Sequence, residues 1–436
     1  MRTISFICLL ASFVLTFLTA PASAQNFING TNGRDTITGT AQIDIINLMA
    51  GNDFCRGLAG DDTIDCGPGN DEAFGKEGKD NIYGFDGMDQ LYGDFGADQL
   101  FGGDDNDRLV GGIGRINLSL HDRLFGEGGD DLIFGDDGQE AINGIVSGVA
   151  ERDEIFGGPG MDFCWGEGGN DLIYGGDDGD LIMGGTGNDT LHGENGDDVM
   201  QGMDGDDTML GGNGFDSMWG NVGMDIMSGG PGNDIVSGGD GPDRVSGNDG
   251  SDELFGNEGN DYVYGNADGD ILHGGSGDDF ISGGSGTDHL HGDLGNDVLR
   301  GGSDFDIIEG NDGLDIVEGD DGNDILFGGN DFDIISGGEG DDWIFGDAGE
   351  DAMEGGNGED TYEAVDCEQD HIYALDQEID LIRVDGIPCN PDQTPFDGLL
   401  DVIVDADDFD LVEIYECGTG NIIYSGPYDG LFVCID

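Results

Sequence analysis

Large apolar residues recur at multiples of nine along most of the chain, at Ile64, Ile82, Leu91, Leu100, Ile173, Leu191, Val236, Leu254, Ile281, Leu326 and Ile344. Each stands two residues after an aspartate. A helix would bury residues three and four apart, whereas one inward residue per short extended segment suits a thin core made by stacking. The period therefore predicts three-residue strands joined by six-residue turns, wound as a parallel β-roll. Met200, Met209, Met218 and Met227 hold the same position and read as adaptable core filling rather than a cofactor site.

The full unit is visible in Gly229-Gly230-Pro231-Gly232-Asn233-Asp234-Ile235-Val236-Ser237 and in Gly283-Gly284-Ser285-Gly286-Thr287-Asp288-His289-Leu290-His291. Numbered from its first glycine, it carries aspartate at position 6 and the core residue at position 8, the G-G-x-G-x-D-x-U-x pattern. The aspartate recurs at Asp35, Asp44, Asp53, Asp62, Asp71, Asp80, Asp89, Asp98 and Asp107, then at Asp122 and Asp131. It continues without a slip at Asp153, Asp162, Asp171, Asp180, Asp189, Asp198, Asp207, Asp216, Asp225, Asp234, Asp243 and Asp252. The same run goes on through Asp261, Asp270, Asp279, Asp288, Asp297, Asp306, Asp315, Asp324, Asp333, Asp342, Asp351 and Asp360. Two stretches break the period: Ile116 stands where aspartate belongs, ahead of an insertion near 113–121, and Glu140 does so ahead of another near 141–152. Insertions in a solenoid leave as loops on one face.

Composition sharpens this picture. The chain of 436 residues has 89 glycines, and its 96 Asp and Glu against 12 Lys and Arg give a formal charge of −84. Such a charge excludes nucleic acid as a partner and asks for bound cations. Glycines in the turn permit conformations that let several carbonyls converge, and carbonyls with carboxylates are the hard oxygen set that calcium takes in flexible geometry. Magnesium demands tighter octahedral geometry, and zinc prefers nitrogen or sulfur. With two units per coil, aspartates 18 residues apart, such as Asp234 and Asp252, should share an ion along one edge.

These repeats resemble the repeats-in-toxin family, the calcium-binding β-roll segments of secreted bacterial toxins, proteases, lipases and surface proteins. The resemblance covers roughly residues 30 to 362. It implies that the position-6 carboxylates listed above and the turn carbonyls coordinate multiple Ca²⁺ ions.

Outside the repeats, Met1-Arg2 precedes an apolar run from Phe6 to Leu18 and then Ala22-Ser23-Ala24, which reads as a signal peptide over 1–24. The expected organisation is that leader, the roll over 25–362, and a C-terminal cysteine-containing β domain over 363–436. The expected location is secreted and extracellular, with periplasm or cell surface as alternatives and no transmembrane span in the mature chain. Cys367, Cys389, Cys417 and Cys434 are candidates for two disulfides, with zinc as a rival reading, and Cys55 with Cys66 is a further candidate pair. Asp401, Asp405, Asp407, Asp408 and Asp410 form an acidic stretch without EF-hand spacing.

Catalytic patterns are missing from the sequence: it holds no G-x-S-x-G elbow, no H-E-x-x-H pair and no Cys–His pair in a recognised context. The chain thus reads as a non-enzyme that folds on calcium and serves as a structural, surface or matrix component. The alternative is a calcium-dependent adhesin or carbohydrate-binding protein, with extracellular polysaccharide as partner. An enzyme accessory module ranks behind both. The adhesin reading draws on the position-9 stripe of Phe74, Tyr83, Tyr92, Phe101, Phe125, Phe134, Phe156, Trp165 and Tyr174. Neighbour packing along a pleated surface explains the same stripe structurally. His273 and His291, 18 residues apart, read as a surface ladder in preference to a transition-metal site.

Overall fold

A computed structural model of the chain describes residues 25–112, 122–129, 131–135 and 152–364, and the backbone of five strands within 371–427. The leader, the four late cysteines and the acids Asp401, Asp405, Asp407, Asp408 and Asp410 lie outside the described residues. The architecture is an all-β parallel solenoid, the β-roll expected from the period. Strands alternate between two facing sheets, and each pairs in parallel with the strand one coil, ordinarily 18 residues, further on: Ile173 sits beside Leu191 in one sheet, and Ile182 beside Met200 in the other. Among the described residues the only antiparallel pairing is the last one, between Leu411–Glu416 and Asn421–Pro427. His371–Tyr373, Leu381–Gly386 and Ile403–Val404 extend the two sheets in parallel beyond the glycine repeats.

Burial alternates along the first part of most strands. In Leu172–Asp177 the side chain of Ile173 is fully buried while Leu172 and Tyr174 face outward. The position-8 residues of both sheets meet in one continuous apolar core from Ile46 to Tyr362. Each fully buried aliphatic residue there is worth roughly 1.5–3 kcal/mol.

The strands exceed the expected length. Most run six residues, from position 7 through position 3 of the next unit, as in Ile235–Asp240. Because successive turns are superimposable, the ladder continues through them, and Gly239 and Asp240 still pair with Asn257 and Glu258. The chain changes direction at position 2, where Gly239 takes a φ of 116° and Asn257 one of 79°. Glycine meets no penalty there, and asparagine is among the side chains that tolerate the left-handed region best.

The stack resumes on the far side of both insertions. The backbone N–H of Asp98 reaches Asp122, and that of Asp122 reaches Asp153, where an undisturbed period would give intervals of 18. Asp98, Asp122 and Asp153 therefore occupy successive coils of one edge.

The expected Cys55–Cys66 pairing is not formed. Both are free, fully buried thiols. Cys55 fills a core position on the strand Phe54–Ala59, while Cys66 follows Thr63–Asp65 in the opposite sheet, in the place of a first glycine. Burial pushes the Cys55 thiol up to about 12.

Candidate metal centre

The turn from Gly211 to Asp216 shows how the repeat builds its site. Gly212 and Gly214 adopt φ values of 119° and 142°, which turn the backbone back toward the roll. The carbonyl of Asp198 accepts the N–H of Ser217 at 2.8 Å, so the aspartate backbone is locked into the sheet. One carboxylate oxygen, Asp216 Oδ1, accepts the N–H of Asp198 in the preceding coil at 2.9 Å. The N–H of Asp216 in turn donates to Asp234 Oδ1 at 2.8 Å. This relay runs along both edges, and Asp234 with Asp252 repeats it at 2.7 Å.

The other oxygen is the notable one. Asp216 Oδ2 is buried and accepts no hydrogen bond, as do the Oδ2 atoms of Asp198, Asp207, Asp225, Asp234, Asp243 and many others. An unsatisfied buried carboxylate oxygen costs on the order of 1–3 kcal/mol or more, so a long series of them is not a tolerated accident. A Cβ on Gly211 would fall against Asp216 Oδ2 and 2.6 Å from the carbonyl oxygen of Gly229 in the next coil. The absent side chain thus leaves a cradle faced by a carboxylate oxygen from one coil and a carbonyl oxygen from its neighbour.

Burial is the first cause of the raised carboxyl pKa values in these turns. It pushes Asp234 up to about 7, helped by the charges of Asp216 and Asp252 and opposed by the N–H of Asp216. Asp270 rises to about 8 and Asp189 to about 6, again led by burial. A divalent cation beside each Oδ2 would reverse that preference for the protonated form.

Among the described residues no group of three or more His, Cys, Asp or Glu side chains is placed to hold a metal ion. A cation in this fold therefore has to draw on backbone carbonyls as well as carboxylates. That oxygen set fits calcium, which accepts carbonyl ligands and irregular geometry. The family model for the RTX calcium-binding nonapeptide repeat fits the chain in twelve segments, from residues 29–64 to residues 327–362. The chain belongs to the RTX calcium-binding nonapeptide repeat family. No curated protein matches it. Family members associate with calcium through these repeats, and the buried Oδ2 series shows where this chain's repeats have oxygen to offer.

Not every expected aspartate has the same surroundings. Asp35 Oδ2 accepts the N–H of Thr31 at 2.5 Å and its hydroxyl at 3.0 Å. Asp44 Oδ2 accepts the N–H of Thr40 at 2.5 Å, while its Oδ1 accepts Asn26 Nδ2 at 2.8 Å. Asp53 and Asp71 lie in turns whose first residue is Leu48 or Cys66 in place of glycine, both fully buried.

A second ladder escaped the sequence reading. At position 5, Asn188 Oδ1 accepts the N–H of Asp206, and Asp206 Oδ1 accepts that of Met224, at 3.2 and 3.0 Å. It runs opposite to the position-6 relay. Its signal was present in the frequent Asn-Asp and Asp-Asp pairs that close the turn.

The position-9 stripe divides between the sheets. On one, Tyr83, Phe101, Phe125, Phe156, Tyr174 and His192 stack with centroids 4.5 to 5.2 Å apart and planes within 9°. On the other, Phe74 stacks on Tyr92, and the Arg108 guanidinium lies 5.3 Å from both Tyr92 and Phe134. Stacked rings spend their faces on one another and turn their edges to solvent, whereas a sugar would need an open ring face. His273 and His291 stack likewise at 4.5 Å, each with Nδ1 against a carboxylate, Asp293 at 3.2 Å and Glu309 at 3.4 Å.

Proposed function

We propose that this chain is a secreted, non-enzymatic calcium-binding protein whose roll assembles on calcium and then serves as a rigid structural, surface or matrix component. The position-6 aspartates supply Oδ2, and the carbonyl oxygens of the neighbouring coil supply further ligands. The observation that carries the reading is the series of buried, unsatisfied Oδ2 atoms, each beside a cradle that a Cβ would fill. Without calcium the carboxylates repel along both edges; with it, each ion cancels two charges and ties two coils together, so binding and folding are one equilibrium. Extracellular calcium modules bind at about 10⁻⁴ to 10⁻³ M, which makes export itself a folding trigger. The segment after residue 362 covers the last coil, whose open sheet edges would otherwise invite association. The adhesin alternative loses support from the stacked part of the aromatic stripe, because those ring faces are already taken.

Titrating calcium into metal-stripped protein while following far-UV circular dichroism tests this. A cooperative gain of β signal with calcium, and none with equal magnesium, is expected. An apo protein that is already fully folded, or an equal response to magnesium, rejects the proposal.

A further inference from the structure

The roll closes its own end turns with protein groups, and it does so in three chemically different ways. At Asp35 and Asp44, main-chain N–H groups occupy the oxygen that the body turns leave bare. Thr31 and Thr40 donate to Oδ2 at 2.5 Å, and the Thr31 hydroxyl adds a second donor. A carboxylate oxygen engaged this way has less lone-pair density left to offer a cation.

At Asp53 and Asp71 the Oδ2 atoms are buried and without a hydrogen-bond partner, as in the body, and the difference is steric. In the body, the first residue of the turn is a glycine whose missing Cβ would meet the turn's own Oδ2 and the carbonyl of the next coil. For Gly202 those atoms are Asp207 Oδ2 and Gly220 O, the latter at 3.0 Å. Leu48 and Cys66 hold that same position, and both point into the apolar core with no exposure.

At the far end a phenol takes the space. Tyr362 is fully buried at the core position of the last repeat, and its hydroxyl oxygen accepts the N–H of Gly355 at 2.6 Å. A Cβ on Gly355 would collide with both that oxygen and Asp360 Oδ2, so the phenol stands in the cradle itself.

We infer that the turns ending at Asp35, Asp44, Asp53, Asp71 and Asp360 hold no calcium, and that ion binding is confined to the glycine-first turns between them. This rests on the calcium reading above. An ion at the Asp35 or Asp44 turn, the first of its edge, would have a packed neighbour on one side only. Thr31, Thr40, Leu48, Cys66 and Tyr362 replace the ion with groups that need no metal, and so they cap the two ion rows as well as the core. The occupied series starts at Asp62 on one edge and at Asp89 on the other, because Asp53 and Asp71 precede Asp89 there.

Anomalous difference maps, collected at long X-ray wavelength from crystals of the full chain grown in calcium, would locate the ions. Peaks beside body turns such as Gly57–Asp62 and Gly211–Asp216, with none beside Leu48, Cys66, Thr31, Thr40 or Tyr362, are expected. Peaks of body height at any of those five positions overturn the inference while leaving the calcium reading intact. A roll with no peak along either edge overturns both.

Discussion

The turn that ends at Asp44 and the turn that ends at Asp216 share a first glycine and a final aspartate, but their carboxylates have different partners. Asp44 is held by Thr40 and Asn26 on its two oxygens. Asp216 is held on Oδ1 alone, by Asp198, and its Oδ2 faces a carbonyl across a space without a donor. A buried aspartate in this fold can thus be satisfied in two ways, by the chain's own N–H groups or by something brought from outside. The end turns at Asp35 and Asp44 use the first. The body turns, with a glycine wherever a side chain would fill the cradle, are arranged for the second.

The largest expected contrast concerns pH in the absence of metal. Burial raises the body carboxyls, to about 7 at Asp234 and about 8 at Asp270. A group whose folded pKa lies above its unfolded value favours the fold fully below the unfolded pKa, and this contribution is lost as pH rises through the folded one. The chelated protein should therefore gain β signal as pH falls from 8 through 6 toward the ordinary carboxylate range, with calcium-loaded protein far less sensitive above pH 6. Circular dichroism across that range in chelator checks it, and an apo signal that is flat or weakens toward acid would remove the role assigned to the buried charge.

A smaller, local contrast separates the two turn types directly. Asp216→Asn keeps an oxygen for the Asp198 N–H and removes one buried charge, so it should stabilise the chelated roll and destabilise the calcium-loaded one, each by about 1–3 kcal/mol. Asp44→Asn loses a charge already satisfied by Thr40 and Asn26, and should destabilise by a similar amount with or without calcium. Thermal melts of both variants in calcium, and in chelator at pH 6, decide between them; an Asp216→Asn effect of one sign in both conditions would erase the distinction.

Much of this was legible in the sequence. The period of nine, the inward residue at position 8 and the glycine turn dictate the parallel roll, and even the interval of 18 between stacked aspartates followed from two units per coil. The extension of strands through the turn was not legible, because it depends on neighbouring turns superimposing closely enough for Gly239 to pair with Asn257. Nor was the closing of the end turns. Cys66 read as a candidate disulfide partner of Cys55, and only the structure shows that it and Leu48 replace a glycine that elsewhere borders Oδ2; the reach of the Tyr362 hydroxyl to Gly355 is likewise a matter of the folded coil. The unit pattern specifies which atoms recur; which of them are already satisfied is a matter of local geometry.

Metal analysis of the folded protein after dialysis against excess calcium tests the central claim most directly. Thirty-five motif aspartates less the five end turns predict a content of about thirty calcium ions per chain, with magnesium failing to displace them at equal concentration. A folded protein carrying only a few ions would contradict the account, because the buried Oδ2 atoms of the body would then have been stabilised without calcium.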